Sequence, residues 1–407
     1  MIYTLKLAWR NIWRNKRRTL ITAFSIVLAV LLSGVTRSMQ IGSYDQMIHN
    51  VAGLFTGYIQ IHQDGYWDKP TLNNSFAPND SLIEQVEQIE GVTEVVPRIR
   101  SYMLAAGREQ SRAALVTGVH PEKEKALSRP NEKLVEGSYF NSASERTAII
   151  SSGLANYLNL AVGDTLILLG QGYHGMSAND ALTVKGIAEY GNPEMNRAMV
   201  FVPLETAQYM YAAMGRLTAA AIILENPREV QSINKEIASL MPDDYEVMPW
   251  QELMPELVQA IEADSGSGII MLLVLYMVVG FGILGTVLMM TAERRYELGV
   301  MIAIGTRRIR IAGMLIIELI YLALLGALAG IAGSIPIIYY FNLNPVRLTG
   351  DTAAMMLEYG MEPILPFSTD PTLLINQALI VLALCGLIAI YPLIHAYRIN
   401  PIKAMQS

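Results

Sequence analysis

Apolar residues gather into four long runs along this chain, at 19–41, 268–291, 311–341 and 373–396. Each reaches or exceeds the about 20 residues that carry an α-helix across a bilayer. The third is longer than a span needs, which predicts a tilted helix or one closing in a short re-entrant turn near Pro336. Between the first and second runs the rhythm changes. Met39, Met47 and Ile48 keep helical spacing to about Val51, and Leu253, Leu257 and Ile261 repeat every four residues on the way back, so each flanking span predicts a stalk. Inside the stalks, 58–62, 92–100 and 113–119 alternate as strands and 81–90 reads as a helix. Residues 219–224, 227–240 and 245–248 repeat a strand–helix–strand order. An insertion at 121–215 separates the halves, with strands at 146–151, 181–188 and 199–202, helices at 153–158 and 203–211, and a turn into a further strand at 162–166. The expected fold is therefore an α-helical membrane protein with four transmembrane helices and a large α+β extracytoplasmic domain, 42–267, between the first and second.

Composition sharpens this. Hydrophobic residues make up 52% and charged residues 16%, too apolar a balance for an ordinary soluble chain. The net charge of −6 conceals a division. Segments 1–18, 292–310 and 397–407 hold thirteen Lys/Arg against two acids, a surplus of eleven, which leaves the remainder at −17. Basic short loops are retained in the cytoplasm. Both termini and 292–310 are expected on the cytoplasmic side, with 42–267 and the loop 342–372 outside. Nothing in this charge distribution suggests nucleic acid as a partner. Residues 1–18 place Leu5, Ala8, Trp9, Ile12 and Trp13 opposite Lys6, Arg10, Arg14 and Arg17, the layout of an interfacial helix. The first apolar run reads as an uncleaved anchor.

Catalytic chemistry finds no candidate. The sequence contains no phosphate-cradling G-x-x-x-x-G-K-[ST] loop and no G-x-S-x-G elbow, and its five histidines show no metal-ligand spacing. The single cysteine, Cys385, falls in the fourth run, which rules out an intrachain disulfide. No catalytic residue, directly bound cofactor or metal site is expected. One acid, Glu318, interrupts the third run. An intramembrane carboxyl is costly to bury and is a functional candidate, paired with an arginine of 292–310 or else protonated and locally hydrogen-bonded. Gly326 and Gly330 form G-x-x-x-G in the third run, while Gly280, Gly282 and Gly285 cluster in the second. Both groups suit close helix packing, within the chain or against a second subunit. The glycine-rich stretch 171–180 reads as a mobile hairpin tip or a contact loop.

The segment 292–310 carries five arginines and two glutamates between two spans. Glu293 and Glu297 stand four apart, as do Val300 and Ile304, so a helix here would have a charged face and an apolar one. Glu293, Arg294, Glu297, Leu298, Gly299, Ala303 and Gly305 fit E-R-x-x-E-[IL]-G-x-x-x-A-x-G. This resembles the ATPase-coupling segment of ABC-transporter permeases of the MacB/FtsX/LolC–LolE type. Two further matches support the resemblance, the basic run Arg10–Arg18 and the closing pattern Pro392, Ala396, Arg398, Pro401, Ile402, Ala404. It implies mechanotransmission: ATP and magnesium bound on a separate cytoplasmic ATPase, a second permease subunit, and a porter-like outer core (52–120 and 216–250) carrying the inserted lobe. A periplasmic carrier or adaptor and membrane lipid are implied as further partners. The layout resembles the lipoprotein-releasing permeases most. MacB-like efflux of peptides or drugs, and FtsX-like activation of a cell-wall hydrolase, are the alternatives.

Overall fold

The computed structural model describes residues 9, 10, 13, 14, 16–358 and 363–398. Most of the expected interfacial helix and the last part of the closing pattern (Pro401, Ile402, Ala404) lie outside them. The chain divides into a helical unit (1–45, 260–346 and 365–407) and an α+β unit (46–259 and 347–364). The chain passes from one unit to the other four times, inside helices at 45/46 and 259/260 and inside two-residue strands at 346/347 and 364/365.

The helical unit is built from α1 (Lys16–Ile48), α2 (Pro255–Glu293), α3 (Arg295–Ala303), α4 (Arg308–Leu343), α5 (Pro371–Ile388) and α6 (Ile390–Arg398). Four helices are long and apolar enough to cross a membrane, Thr19–Thr56, Pro255–Glu293, Arg308–Leu343 and Pro371–Tyr397. The re-entrant turn expected near Pro336 is absent: α4 runs through Pro336 to Leu343. Proline removes one ladder bond, to the carbonyl of Ala332, but the remaining bonds hold the helix together. A break does occur in the fourth span, where α5 ends and α6 begins at Ile390. Pro392 accounts for it, since its ring has no N–H to donate to Ile388 and crowds that carbonyl.

Glycine sets the closest approach among these helices. A Cβ on Gly326 would lie 2.6 Å from Ile26 Cγ2, and one on Gly330 would lie 3.0 Å from the carbonyl oxygen of Val27. Both positions of the G-x-x-x-G therefore face α1 of the same chain. Around them Ile26, Val30, Ile283, Leu319, Ala323 and Val381 form the core of the unit. A Cβ on Gly280 would have Leu384 as its nearest neighbour, at 3.4 Å, and among the described residues none would lie within 4 Å of a Cβ on Gly282 or Gly285.

The α+β unit contains one ten-stranded sheet. Its strands are β1 (Ile59–Gln63), β2 (Val92–Ala106), β3 (Ser111–Val119), β4 (Leu134–Gly137), β5 (Thr147–Ser151), β6 (Thr165–Gln171), β7 (Ser177–Ala188), β8 (Met199–Pro203), β9 (Ala219–Leu224) and β10 (Tyr245–Pro249). Their order is β10-β1-β9-β2-β3-β8-β5-β7-β4, with β6 pairing both β2 and β7. The strands of 121–215 thus continue the sheet of the flanking segments through the parallel β3–β8 pair. Because β6 returns to β2, six strands (β2, β3, β8, β5, β7, β6) close a ring around a core that includes Met103, Val116, Ile150, Leu166, Leu182 and Val200. The fifteen-residue β2 makes this possible, pairing β9 along its first half and β6 at its end. Half of the expected loop 171–180 is strand. Only its middle turns, and that turn is anchored: Tyr173 N donates to the Tyr211 carbonyl at 2.8 Å, and His174 N donates to Asn73 Oδ1 at 2.7 Å.

β1 also carries a fully buried histidine. His62 Nδ1 lies 2.8 Å from the Thr218 carbonyl, and its ring stacks on Tyr66. Burial pushes the imidazole from its usual 6.5 down to about 4, so His62 is neutral in the folded protein near pH 7.

Candidate coupling site

The polar segment between the second and third spans folds as one short helix between two turns. Leu298 supplies the reason. It is 1% exposed and packs with Met290, Ile311, Leu315 and Ala396, with Met301 and Ile302 beside it. Glu297 sits in the first turn, where a negative charge complements the helix dipole. At the other end Gly305 adopts φ +98°. Its N–H bonds the Ile302 carbonyl at 3.0 Å, and Thr306 N–H bonds that of Met301 at 2.9 Å. This pair of bonds is a Schellman cap, which needs a left-handed residue at the position of Gly305.

Arg294, in the turn between α2 and α3, points inward. Its Nη1 donates to both oxygens of Glu318, at 2.9 and 2.6 Å, and the two residues are 5% and 1% exposed. The intramembrane acid is therefore ion-paired to an arginine of the connecting segment. Buried charges are tolerable only in such a pair, because each offsets the other's desolvation. The contact ties α4 to the turn that leads into α3.

On the surface, Arg14 Nη2 holds Glu297 through both carboxylate oxygens, at 2.8 and 2.6 Å. Trp9 packs edge-on against Tyr321 of α4, 5.7 Å between centroids. Arg14 and Trp9 were legible as part of an interfacial helix; their partners were not. The seven motif residues divide by burial. Arg294, Leu298 and Gly299 are buried and hold the helix in place, while Glu293, Glu297, Ala303 and Gly305 are at the surface. The exposed set gains two residues outside the motif, Tyr296 (56% exposed) and Ile304 (80%). The apolar face expected through Ile304 runs instead through Leu298, Met301 and Ile302.

A second buried pair lies in the α+β unit, and sequence reading missed it. α1 is followed by a π-helical segment, His49–Thr56. Arg98 of β2 donates from Nε to Glu124 Oε2 at 3.0 Å, from Nη2 to Glu124 Oε1, and from Nη1 to the carbonyl of Phe55 in that segment. Ser128 Oγ also donates to Glu124. Arg98 is 2% exposed and Glu124 0%. The available signal was a lone arginine in the apolar run Val95–Val96–Pro97–Arg98–Ile99. Among the described residues no group of three or more His, Cys, Asp or Glu is placed to hold a metal ion.

Four membrane-length helices, a large α/β domain between the first two and a short ordered helix between the second and third define a multi-span membrane protein of the permease class. The chain belongs to the ABC-transporter permeases that join two modules, matching a MacB-like periplasmic core domain over residues 19–240 and an FtsX-like permease C-terminal domain over 269–401. Members of this family work with a cytoplasmic ATPase. Among its relatives, the macrolide export ATP-binding/permease protein MacB of Agrobacterium fabrum is 24% identical over 84% of this chain and 54% of its own length. The permease YknZ of Bacillus subtilis is 23% identical over 81% of this chain and 85% of its own length. The lipoprotein-releasing system transmembrane protein LolC of Neisseria meningitidis is 19% identical, covering 82% and 83% respectively. The chain thus spans about half the length of the MacB relative. Among solved structures, the extracellular domain of YknZ aligns with 47% of this chain at 18% identity and a TM-score of 0.34. The periplasmic region of MacB from Actinobacillus actinomycetemcomitans aligns with 54% at 14% identity and a TM-score of 0.36.

Proposed function

We propose that this permease is a mechanotransmitter of a bacterial inner membrane, with both termini and α3 in the cytoplasm and the α+β unit outside. A separate ATPase, binding ATP and magnesium, grips the exposed side of α3 at Tyr296, Glu297 and Ile304. Its closure pulls on α2 and α4 together, because the Arg294–Glu318 pair fastens α4 to the turn between α2 and α3. The two helices that join the units carry the movement outward, and a second permease subunit completes the machine.

The cargo is lipoprotein or lipid released from the membrane. Support for this comes from the match to LolC over most of both chains, and from spans whose described faces are apolar, which suits work at a membrane surface better than passage of a solute. Export of a small molecule or peptide is the second reading, favoured by the several MacB relatives.

The observation that carries the proposal is a helix anchored by a buried charge pair while two apolar side chains, Tyr296 and Ile304, stand in solvent beside it. Ile304→Glu should cut the ATPase activity that co-purifies with the chain from native membranes at least tenfold, with the permease still folded in the membrane. Unchanged recovery in Ile304→Glu and in Tyr296→Ala would refute the docking role of α3.

A further inference from the structure

On the α3 side of the helical unit, α4 and the α5–α6 pair part to leave a groove of about 420 Å³ facing outward. This falls within the roughly 300–1,000 Å³ typical of small-ligand sites. Its floor is made of side chains too small to fill it, Ala323, Gly386 and Ala389, and its rims are Ile320, Leu324 and Ile390, each roughly half exposed. Nothing lies within 4 Å of where a Cβ on Gly386 would be. The lining is almost wholly hydrocarbon. A groove between membrane spans with such a lining takes an apolar chain.

One end of the groove is polar. Down α4 the open stripe continues through Gly313, whose Cβ position is also empty, and Ile309 (56% exposed) to the first turn, which holds Arg308. On the opposite wall the last turn of α6 holds Tyr397, 48% exposed, whose carbonyl accepts from Arg308 Nη1. That bond uses one of the five N–H donors of a guanidinium. Arginine and tyrosine at the end of an apolar groove match the two parts of an anionic lipid, since guanidinium forks onto phosphate and aromatic rings settle at the headgroup layer.

We infer that this groove is a phospholipid site, with one acyl chain lying between α4 and α5–α6 and an anionic headgroup on Arg308, in the leaflet on the α3 side. A resident lipid there would fill the space between the two walls that the protein's own side chains leave open. The inference stands independently of the ATPase and of the cargo.

The test reconstitutes the full chain in nanodiscs of phosphatidylethanolamine containing phosphatidylglycerol with a photoactivatable diazirine in its acyl chain. Labelled residues are then mapped by mass spectrometry. Labelling of 316–324 and 382–393 should exceed that of the exposed face of α2 (269–281) at least fivefold. Gly386→Leu and Ala389→Leu should each lower the groove signal about tenfold and leave α2 unchanged. Arg308→Gln should remove the preference for phosphatidylglycerol over an equally labelled phosphatidylcholine. Equal labelling of α2 and the groove, or a groove signal unmoved by both filling variants, would overturn the site. Copy-to-copy disulfides formed by Gly386→Cys would overturn it too, since a second chain would then occupy the groove.

Discussion

His62 shows how burial can dominate a titration, outweighing the hydrogen bond to the Thr218 carbonyl that favours the charged ring. Its folded value of about 4 lies below the unfolded 6.5, so only the unfolded chain takes a proton as the pH falls from 6.5 toward 4. Stability is complete above pH 6.5, declines through that window and levels off below pH 4, a total loss of about 3 kcal/mol. Amide exchange on β1 should therefore speed up between pH 7 and pH 4.5. His62→Leu, which removes the titrating group, should flatten that dependence; an equally steep profile in the variant would exclude His62 as its source. Glu318 makes the opposite point. Its cost is met by a partner, Arg294, and not by neutralisation. The acid itself stood out in the sequence as the one carboxylate within a span. Which of the five arginines of 292–310 answers it could not be read from spacing, because they lie 8 to 24 residues away and none stands at the three- or four-residue separation that puts two side chains on one helix face.

Among the elements, the small residues of the spans separate into two kinds. Gly326 and Gly330 are needed where α1 and α4 touch. Gly326→Leu would drive a side chain into Ile26 and the backbone at Ala23, an overpacking worth about 1–3 kcal/mol. Its melting temperature in detergent should fall. Gly285→Leu meets nothing within the chain and should melt like the parent; a large loss there would show that α2 packs against this chain in a way the structure lacks. If Gly285→Leu keeps its stability but loses activity, the contact lies with another subunit. The sequence pattern of G-x-x-x-G and a glycine cluster looked alike in both helices. The difference is one of neighbours, which only three-dimensional placement supplies. The same holds for α3, whose helix was legible but whose buried side was misjudged: Leu298, not Ile304, faces the core formed with Ile311 and Ala396.

For the whole molecule, the mechanotransmission we propose would enter the sheet at the Arg98–Glu124 pair, which holds the carbonyl of Phe55 in the π-helical segment after α1. Arg98→Leu leaves Glu124 buried and unpaired and should cost about 3–5 kcal/mol. Replacing both, Arg98→Met with Glu124→Leu, should restore most of that stability, because two apolar side chains of similar size satisfy one another. Coupled activity should stay low in the double variant, since the bond to Phe55 is still missing. Recovery of activity along with the melting temperature would reduce the pair to a structural role.

The four spans, every strand of the large sheet except β4 and the family motif were legible in the linear chain because each depends on local periodicity or on residue identity, which neighbours in sequence determine. Closure of the ring through β6, the parallel β3–β8 pairing that merges the two halves of the α+β unit, and the choice of Arg294 and Arg98 as buried partners were decided only in the folded protein. Each joins residues far apart in sequence or selects one of several equivalent candidates, and that selection is made by packing and by the cost of leaving a buried charge or strand edge unpaired.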